Sequence, residues 1–147
     1  MPVSDLGRRA TAAAALVAVL TAAGLAGRSL ASSTPAIYTA AQAGTGAKLF
    51  SANCASCHGD QLQGNVGPAL TGPNLVTLAK NTKLKVGDLF GFMALQMPLN
   101  APASLKKDQY AAIMAYILKF NGYPAGQKAL TYAAAMSSTV SMTSLKK

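Results

Sequence analysis

Five consecutive residues constrain this chain more than any other feature: Cys54-Ala55-Ser56-Cys57-His58. They contain both cysteines and the only histidine of the 147 residues. C-x-x-C-H is the pattern by which c-type haem is attached, with a thioether bond from each sulfur and the imidazole on one face of the iron. The pentad therefore predicts one haem c, covalently attached through Cys54 and Cys57, with His58 as an iron ligand.

Three other kinds of site remain as alternatives, and each accounts for less of the pattern. A structural zinc site usually needs four Cys or His ligands, and this chain has three such residues. A redox-active C-x-x-C pair is expected in a βαβ context, which the sequence does not show. A disulfide between Cys54 and Cys57 would leave the adjacent His58 unexplained.

The start of the chain has the pattern of a secretory signal peptide. A pair of arginines at positions 8 and 9 precedes a nearly uniform apolar run over residues 10–26, and small residues follow. We predict a signal peptide over residues 1–31, with cleavage after Ser29-Leu30-Ala31 or, earlier, after Gly24-Leu25-Ala26. The apolar run is short for a bilayer span, which favours cleavage over an uncleaved membrane anchor. The predicted location is the bacterial periplasm, with the membrane as a partner only if the segment is retained.

The chain after residue 31 is strongly basic. It has ten lysines, no arginine and three aspartates, which gives a net charge of +7. Such a surface suits an acidic protein, anionic lipid or nucleic acid, and it also keeps a protein soluble. Nucleic acid is not expected for an exported chain without arginine in its mature part. We predict redox protein partners with an acidic docking surface, and the alternative that the lysines serve only solubility stays open.

Composition divides the exported part into three segments. Residues 32–44 are predicted to be a flexible leader, and residues 45–126 form the dense part, which contains the pentad. Residues 127–147 are a low-complexity tail rich in Ala, Ser, Thr and Met. This tail has little to fold around, so we expect it to be mobile or to lie over the surface.

The periodicity of the dense part is helical, which predicts an all-α fold of three to four short helices. One helix carries Ala43, Ala47, Phe50 and Cys54 on a single face and leads into the pentad. Residues 59–73, with several glycines and prolines, form a loop.

Three further helices complete this prediction. One covers residues 75–80 with Asn74 as its N-cap, and a second ends before Pro98. The last begins after Ser104, its predicted N-cap, and stops at Asn121-Gly122. Such a core is thin, so a haem plate is needed to fill it, and the haem-free chain is expected to fold poorly.

The second axial position of the iron needs a residue other than histidine. Thioether ligation by methionine is a common partner of histidine and raises the haem potential. Met97 is the preferred candidate because Pro98 ends the helix there and the chain turns outward. Met93, a lysine or an open position remain alternatives, and Met97 could instead be a core residue.

The imidazole of His58 also needs a hydrogen-bond acceptor on its other ring nitrogen, which would fix its tautomer and orientation. The loop that follows the pentad offers backbone carbonyls. Pro68 is the candidate for this acceptor.

Residues 46–126 resemble class I c-type cytochromes. The similarity is carried by Gly46 and Phe50, by the pentad with Gly59, and by Gly67-Pro68-Ala69-Leu70, Met97-Pro98, Ile113 and Tyr116. This resemblance implies the small cytochrome c fold, in which helices wrap around one covalently attached haem. It further implies that the Pro68 carbonyl accepts a hydrogen bond from His58, that Met97 is the distal ligand, and that the last helix crosses the first at Gly46 and Phe50.

A narrower resemblance lies in the last part of the dense region. The stretch from Met97-Pro98-Leu99-Asn100-Ala101-Pro102 through Tyr110 to Asn121-Gly122-Tyr123-Pro124 is similar to small periplasmic cytochromes associated with bacterial quinoprotein dehydrogenases. It implies a one-electron carrier, not an enzyme, that takes electrons from a dehydrogenase and passes them toward a terminal oxidase or another cytochrome.

Two other functions stay open from the sequence. The chain could be a permanently bound, haem-bearing subunit of a dehydrogenase or oxidase complex. An open haem with catalytic or sensing activity is a further alternative, although no distal histidine is present. For the carrier function, the residues expected to steer docking are Lys80, Lys83, Lys85 and Lys106.

Overall fold

Helix is the only regular secondary structure in residues 34–143, the part of the chain that the computed structural model describes. The signal-peptide prediction for residues 1–31 lies outside the described residues. The helices, in chain order, are α1 (Ala40–Asn53), α2 (Ala55–His58), α3 (Gly72–Thr82), α4 (Val86–Gln96), α5 (Lys107–Phe120) and α6 (Tyr132–Met136). The all-α prediction is confirmed. The described residues contain two helices beyond the predicted four, because the pentad forms the short α2 and the predicted tail contains the short α6.

Capping residues explain where the helix boundaries differ from those predicted. The Thr39 hydroxyl accepts a hydrogen bond from the Gln42 amide at 3.2 Å, so α1 begins at Ala40. Residues 40–44, which the sequence analysis placed in the leader, are therefore helical. The structure also replaces the predicted cap Asn74 by Thr71, since Gly72-Pro73 already form the first turn of α3.

The start of α5 also differs from the predicted one, whereas the end of α4 agrees with the prediction. The side chain of Gln109 accepts a hydrogen bond from the Lys106 amide at 2.9 Å, which makes Lys106 the N-cap in place of the predicted Ser104. Helix α4 ends at Gln96 with Met97 as its C-cap, as the following Pro98 predicted.

The central packing contact of the fold is the crossing of α1 and α5. A methyl group added at Gly46 would lie 1.8 Å from the backbone oxygen of Ala112, so the two helices approach at this point because residue 46 has no side chain. Next to the crossing, the Phe50 ring lies 5.4 Å from the ring of Tyr116. The pair fixes the direction of α1 and therefore the place where the pentad begins.

Of the two expectations for the tail, mobile or lying over the surface, the structure has the second: the C-terminal segment, residues 127–143, lies over the rest of the fold and buries several side chains on it. The Leu130 amide donates to Oε1 of Gln42 at 2.8 Å, and Nε2 of Gln42 donates to the Leu130 carbonyl at 2.7 Å. Leu130, Ala135 and Met142 are buried, and Met142 is 0 % exposed. The burial of these three residues and their backbone pairing offset the entropy of ordering a polar segment.

This segment also covers α4, the helix that leads to Met97. The Val86 amide donates to the Val140 carbonyl at 2.8 Å, and the Met142 amide donates to the Leu84 carbonyl at 2.8 Å. The Tyr132 ring packs edge-on against Phe90 of α4 with a centroid distance of 5.1 Å. The C-terminal segment therefore holds the beginning of α4 in place.

None of the helices within residues 34–143 combines the length and the apolar character that a bilayer span requires.

A substitution of Gly46 by alanine tests the helix crossing. The added methyl group would collide with a backbone oxygen, so we expect Gly46→Ala to lower the free energy of unfolding by about 3 kcal/mol or more. Gly44→Ala, on the same helix, meets nothing within 4 Å, and it should leave stability unchanged or raise it by up to about 1 kcal/mol. Denaturant titration measures both, and equal stability of the two variants would contradict the assigned crossing.

A second glycine pair tests the contact of the C-terminal segment with α4. A methyl group at Gly87 would lie 2.8 Å from the backbone oxygens of Met136 and Ser138, whereas one at Gly91 would be 3.9 Å from the nearest atom. We expect Gly87→Ala to lower the free energy of unfolding by about 1–3 kcal/mol, with faster hydrogen exchange at the Met142 amide. Gly91→Ala is the control. Unchanged exchange at Met142 in Gly87→Ala would mean that the segment does not pack as described.

Candidate functional site

The pentad continues directly from α1. The Cys54 amide still donates to the Phe50 carbonyl at 2.8 Å, but the backbone of Cys54 (φ −127°, ψ −30°) leaves the α-helical region and starts the short α2. Both thiols are free, with Cys54 half-buried and Cys57 exposed. The structure therefore contains no disulfide between them, and one of the two sulfurs faces solvent.

Burial changes the acidity of one thiol. Desolvation, reinforced by the neighbouring Cys57, raises the pKa of Cys54 to about 11. The sulfur of Cys54 is therefore a neutral thiol near pH 7 in the chain without cofactor.

The imidazole of His58 is fixed by one hydrogen bond. His58 is 9 % exposed, and its Nδ1 lies 2.8 Å from the backbone oxygen of Pro68. A carbonyl oxygen can only accept, so the proton of the neutral ring is on Nδ1. The lone pair is then on Nε2, the form of histidine that binds a metal.

The loop after the pentad folds back onto it and brings Pro68 to the ring. The Gly64 amide donates to the His58 carbonyl and the Gly67 amide to the Cys57 carbonyl, both at 2.8 Å. The fully buried Leu62 anchors the loop in the core, with its backbone in the left-handed region at φ 57°. The carbonyl of Pro68 is therefore held in place by backbone bonds to the pentad itself.

A small residue is required where this loop touches the ring. A methyl group at Gly67 would lie 3.0 Å from Cε1 and 3.1 Å from Nδ1 of His58, and 3.2 Å from the Cys57 carbonyl oxygen. These separations are tight for carbon contacts. Gly67 thus lets the loop backbone lie against the imidazole.

Asn121 is a residue of this site that the sequence analysis interpreted only as a helix stop. Its side-chain amide is fully buried and donates to the carbonyls of Leu70 and Ile117, both at 2.9 Å. The end of α5 therefore holds the far end of the loop that carries Pro68. A buried asparagine at a helix end is a possible signal for such a role, but its partner is 51 residues away and cannot be identified from local sequence.

Met97 lies at the end of α4, where it is half-buried. Its amide donates to the Met93 carbonyl at 3.0 Å, and its carbonyl accepts from the Tyr110 hydroxyl. Met93, Met114 and Met142 are buried in the core, whereas Met136 is 40 % exposed. The structure thus moves Met142 from the loose tail, where the sequence analysis placed it, into the core.

The donor set fits a c-type haem. Two free thiols, an imidazole with its Nε2 lone pair available and a half-buried thioether are the groups that attach and ligate haem c. The roles of Cys54, Cys57, His58, Pro68 and Met97 in holding haem remain predictions. Within residues 34–143, no group of three or more His, Cys, Asp and Glu residues is arranged to hold a metal ion.

Gly67→Ala tests the contact between the loop and the imidazole. The methyl group should displace the loop and weaken the bond from His58 Nδ1 to Pro68, with a loss of about 1 kcal/mol of stability. In the haem-loaded chain the imidazole becomes a weaker electron donor, so the reduction potential should rise. Val66→Ala, at the neighbouring position that is 85 % exposed, is the control. An unchanged potential and unchanged Nδ1 proton exchange in Gly67→Ala would contradict this geometry.

Comparison with solved structures finds a similar chain in the sulfane dehydrogenase SoxCD from Paracoccus pantotrophus, with 28 % identity and a TM-score of 0.49. The match covers 64 % of this chain and 50 % of that one, so the chain spans about half the length of the structure it matches. No relative was found among curated proteins.

Residues 41–117 match the family described as cytochrome c oxidase, cbb3-type, subunit III. This match includes α1, the pentad, the loop with Pro68, Met97 and most of α5. Because it spans just over half of the chain, the chain belongs to this family of class I c-type cytochromes and is an electron-transfer protein.

Proposed function

We propose that the chain is an exported one-electron carrier with a single haem c. Thioether bonds from Cys54 and Cys57 attach the haem, His58 binds the iron on one face and Met97 on the other. The electron donor is a dehydrogenase, and the electrons pass toward a terminal oxidase or another cytochrome in the bacterial periplasm. The signal segment over residues 1–31 directs export in this proposal.

The observation that carries the proposal is the hydrogen bond from His58 Nδ1 to Pro68, 2.8 Å long, next to two free thiols. In the neutral ring, this bond leaves the lone pair on Nε2, and the thiols are one and four residues before the same imidazole. One short segment thus supplies two thiols for the thioether bonds and one imidazole for the iron, which are the groups that a covalently attached haem requires. A redox dithiol would leave the imidazole unused, and a structural zinc site would need a fourth ligand beyond these three groups.

The protein's own residues determine how the carrier works. When bound, the haem supplies the one-electron ferric/ferrous couple. The bond to Pro68 keeps the His58 ring in one orientation and raises its basicity. The soft thioether of Met97 favours the ferrous state and raises the potential. Ligation by both His58 and Met97 would leave small molecules no free site on the iron, which suits a carrier and not a catalyst.

The positive charge of the chain supports the proposal that its protein partners have acidic surfaces. Lys80, Lys83, Lys85 and Lys106 are all exposed, and the chain beyond residue 31 carries a net charge of +7. Such charges speed encounter with an acidic partner and make the contact dependent on salt. Electron transfer with the physiological donor should therefore slow as ionic strength rises.

A permanently bound subunit is the second candidate, and the family match supports it because the family is named for an oxidase subunit. Gel filtration of a native extract distinguishes the two. A free carrier elutes at the size of this chain, whereas a subunit elutes with a larger enzyme.

Replacement of Met97 tests the proposed iron coordination. We expect Met97→Ala to lose the near-infrared band that reports a bond between methionine and ferric iron, and to bind carbon monoxide in the ferrous state. Its reduction potential should fall by more than about 59 mV, which corresponds to a tenfold change in a one-electron equilibrium.

Met136→Ala, in the exposed part of α6, is the matched control and should keep the band and the potential. If Met97→Ala also keeps both, then Met97 is not a ligand and another methionine, such as Met93, binds the iron. If the unaltered chain itself lacks the band, the ligand is a lysine or the position is open.

A further inference from the structure

The loop between α4 and α5 is almost entirely exposed. Residues 99–104 are open to solvent, and within the loop the Ala101 amide donates to the Pro98 carbonyl at 2.9 Å. Met97 precedes this loop and Leu105 follows it. A loop with so little burial contributes little to keeping Met97 in place. The position of Met97 therefore depends mainly on the contacts at the two ends of the loop.

Both ends of the loop meet the same side chain. The hydroxyl of Tyr110 donates to the Met97 carbonyl at 2.5 Å and accepts from the Leu105 amide at 3.4 Å. Tyr110 lies in the first turn of α5 and is 3 % exposed. A rigid aromatic ring on the most buried helix of the fold thus fixes both ends of the loop.

Within residues 34–143, few other hydrogen bonds hold the backbone of Met97. As the C-cap of α4 it has an extended conformation (φ −118°, ψ 154°), and its own amide makes the last hydrogen bond onto the helix, 3.0 Å from the Met93 carbonyl. The carbonyl of Met97 is the other backbone group that is held, and it accepts a hydrogen bond from the buried Tyr110 hydroxyl. Met97 therefore depends on α4 from one side and on α5 from the other.

We propose that Tyr110 is a positioning residue for the distal iron ligand, an inference that rests on the proposed coordination by Met97. A thioether is a weak ligand, so its occupancy of the iron depends on how firmly the backbone that carries it is held. The Tyr110 hydroxyl holds the Met97 carbonyl against α5 and so limits how often the sulfur leaves the iron.

Competition by imidazole measures the detachment of Met97. Added imidazole binds ferric iron when the sulfur leaves, so its apparent affinity reports the detachment equilibrium. In the haem-loaded Tyr110→Phe chain the ring is kept and one hydroxyl is lost. We expect imidazole to bind roughly two- to tenfold more tightly, as the loss of one hydrogen bond would give.

Tyr116→Phe is the matched control. Tyr116 is on the same helix, and its ring packs against Phe50 and Phe120, at 5.4 and 5.9 Å. It should bind imidazole as the unaltered chain does. Unchanged imidazole affinity in Tyr110→Phe, or an equal increase in both variants, would overturn the positioning role.

A measurement on the unaltered protein keeps the inference testable if Tyr110→Phe does not accumulate as holoprotein. When imidazole displaces Met97, the Leu105 amide should exchange its hydrogen at least about threefold faster, because the shared phenol contact loosens. The Leu70 amide, bonded to the Leu62 carbonyl at 2.8 Å on the His58 side, should not change. An unchanged rate at Leu105 would overturn the inference.

Failure of this inference differs from failure of the proposed coordination. If Met97 is not a ligand, the near-infrared spectrum of Met97→Ala is the same as that of the unaltered chain. If Met97 is a ligand but Tyr110 does not position it, the near-infrared band is lost in Met97→Ala while Tyr110→Phe binds imidazole normally.

Discussion

The close contact between α1 and α5 at Gly46 is the constraint on which the site depends. Because residue 46 has no side chain, the backbone of α5 at Ala112 meets α1 directly. This contact sets where α1 ends and the pentad begins. It also fixes α5, whose two ends reach the two sides of the proposed haem site. Asn121 at the C-terminal end binds the loop that carries Pro68, and Tyr110 at the start binds the carbonyl of Met97.

Asn121 is eleven positions after Tyr110, which corresponds to roughly 16 Å along a helix. A single rigid helix thus sets both the loop that orients His58 and the backbone of the proposed distal ligand. In a small domain with a thin core, such shared anchoring reduces the number of segments that must be held separately. It also explains why few of the residues that organise the site are those that would touch the haem.

Tyrosine hydroxyls hold the less regular segments of the fold. Tyr38, before α1, donates to the Tyr123 carbonyl at 2.6 Å, and Tyr123 donates to the Ser141 carbonyl at 2.5 Å. Together with Tyr110 they bind three carbonyls outside the helices to the buried part of the chain. Each ring buries apolar surface while its hydroxyl pairs with a backbone group that would otherwise need another partner.

Local signals in the sequence predicted the all-α class and the end of α4 at Pro98, because both depend on residues that are close together along the chain. The pentad is a local motif of the same kind and can be recognised in the sequence directly. The packing of the C-terminal segment could not be predicted in this way. Leu130, Ala135 and Met142 follow no helical or strand period, and Met142 pairs with Leu84, far away in sequence. The roles of Asn121 and Tyr110 were missed for the same reason, since both depend on partners in other loops.

The central claim is that one haem is bonded to the two sulfurs of the pentad. The intact mass of the denatured protein, made in a host that matures c-type cytochromes, tests it most directly. We expect a polypeptide heavier by one haem, with the added mass on the peptide that contains residues 54–58, and no such addition in a Cys54→Ala, Cys57→Ala double variant. An unmodified polypeptide mass for the unaltered chain would contradict the account.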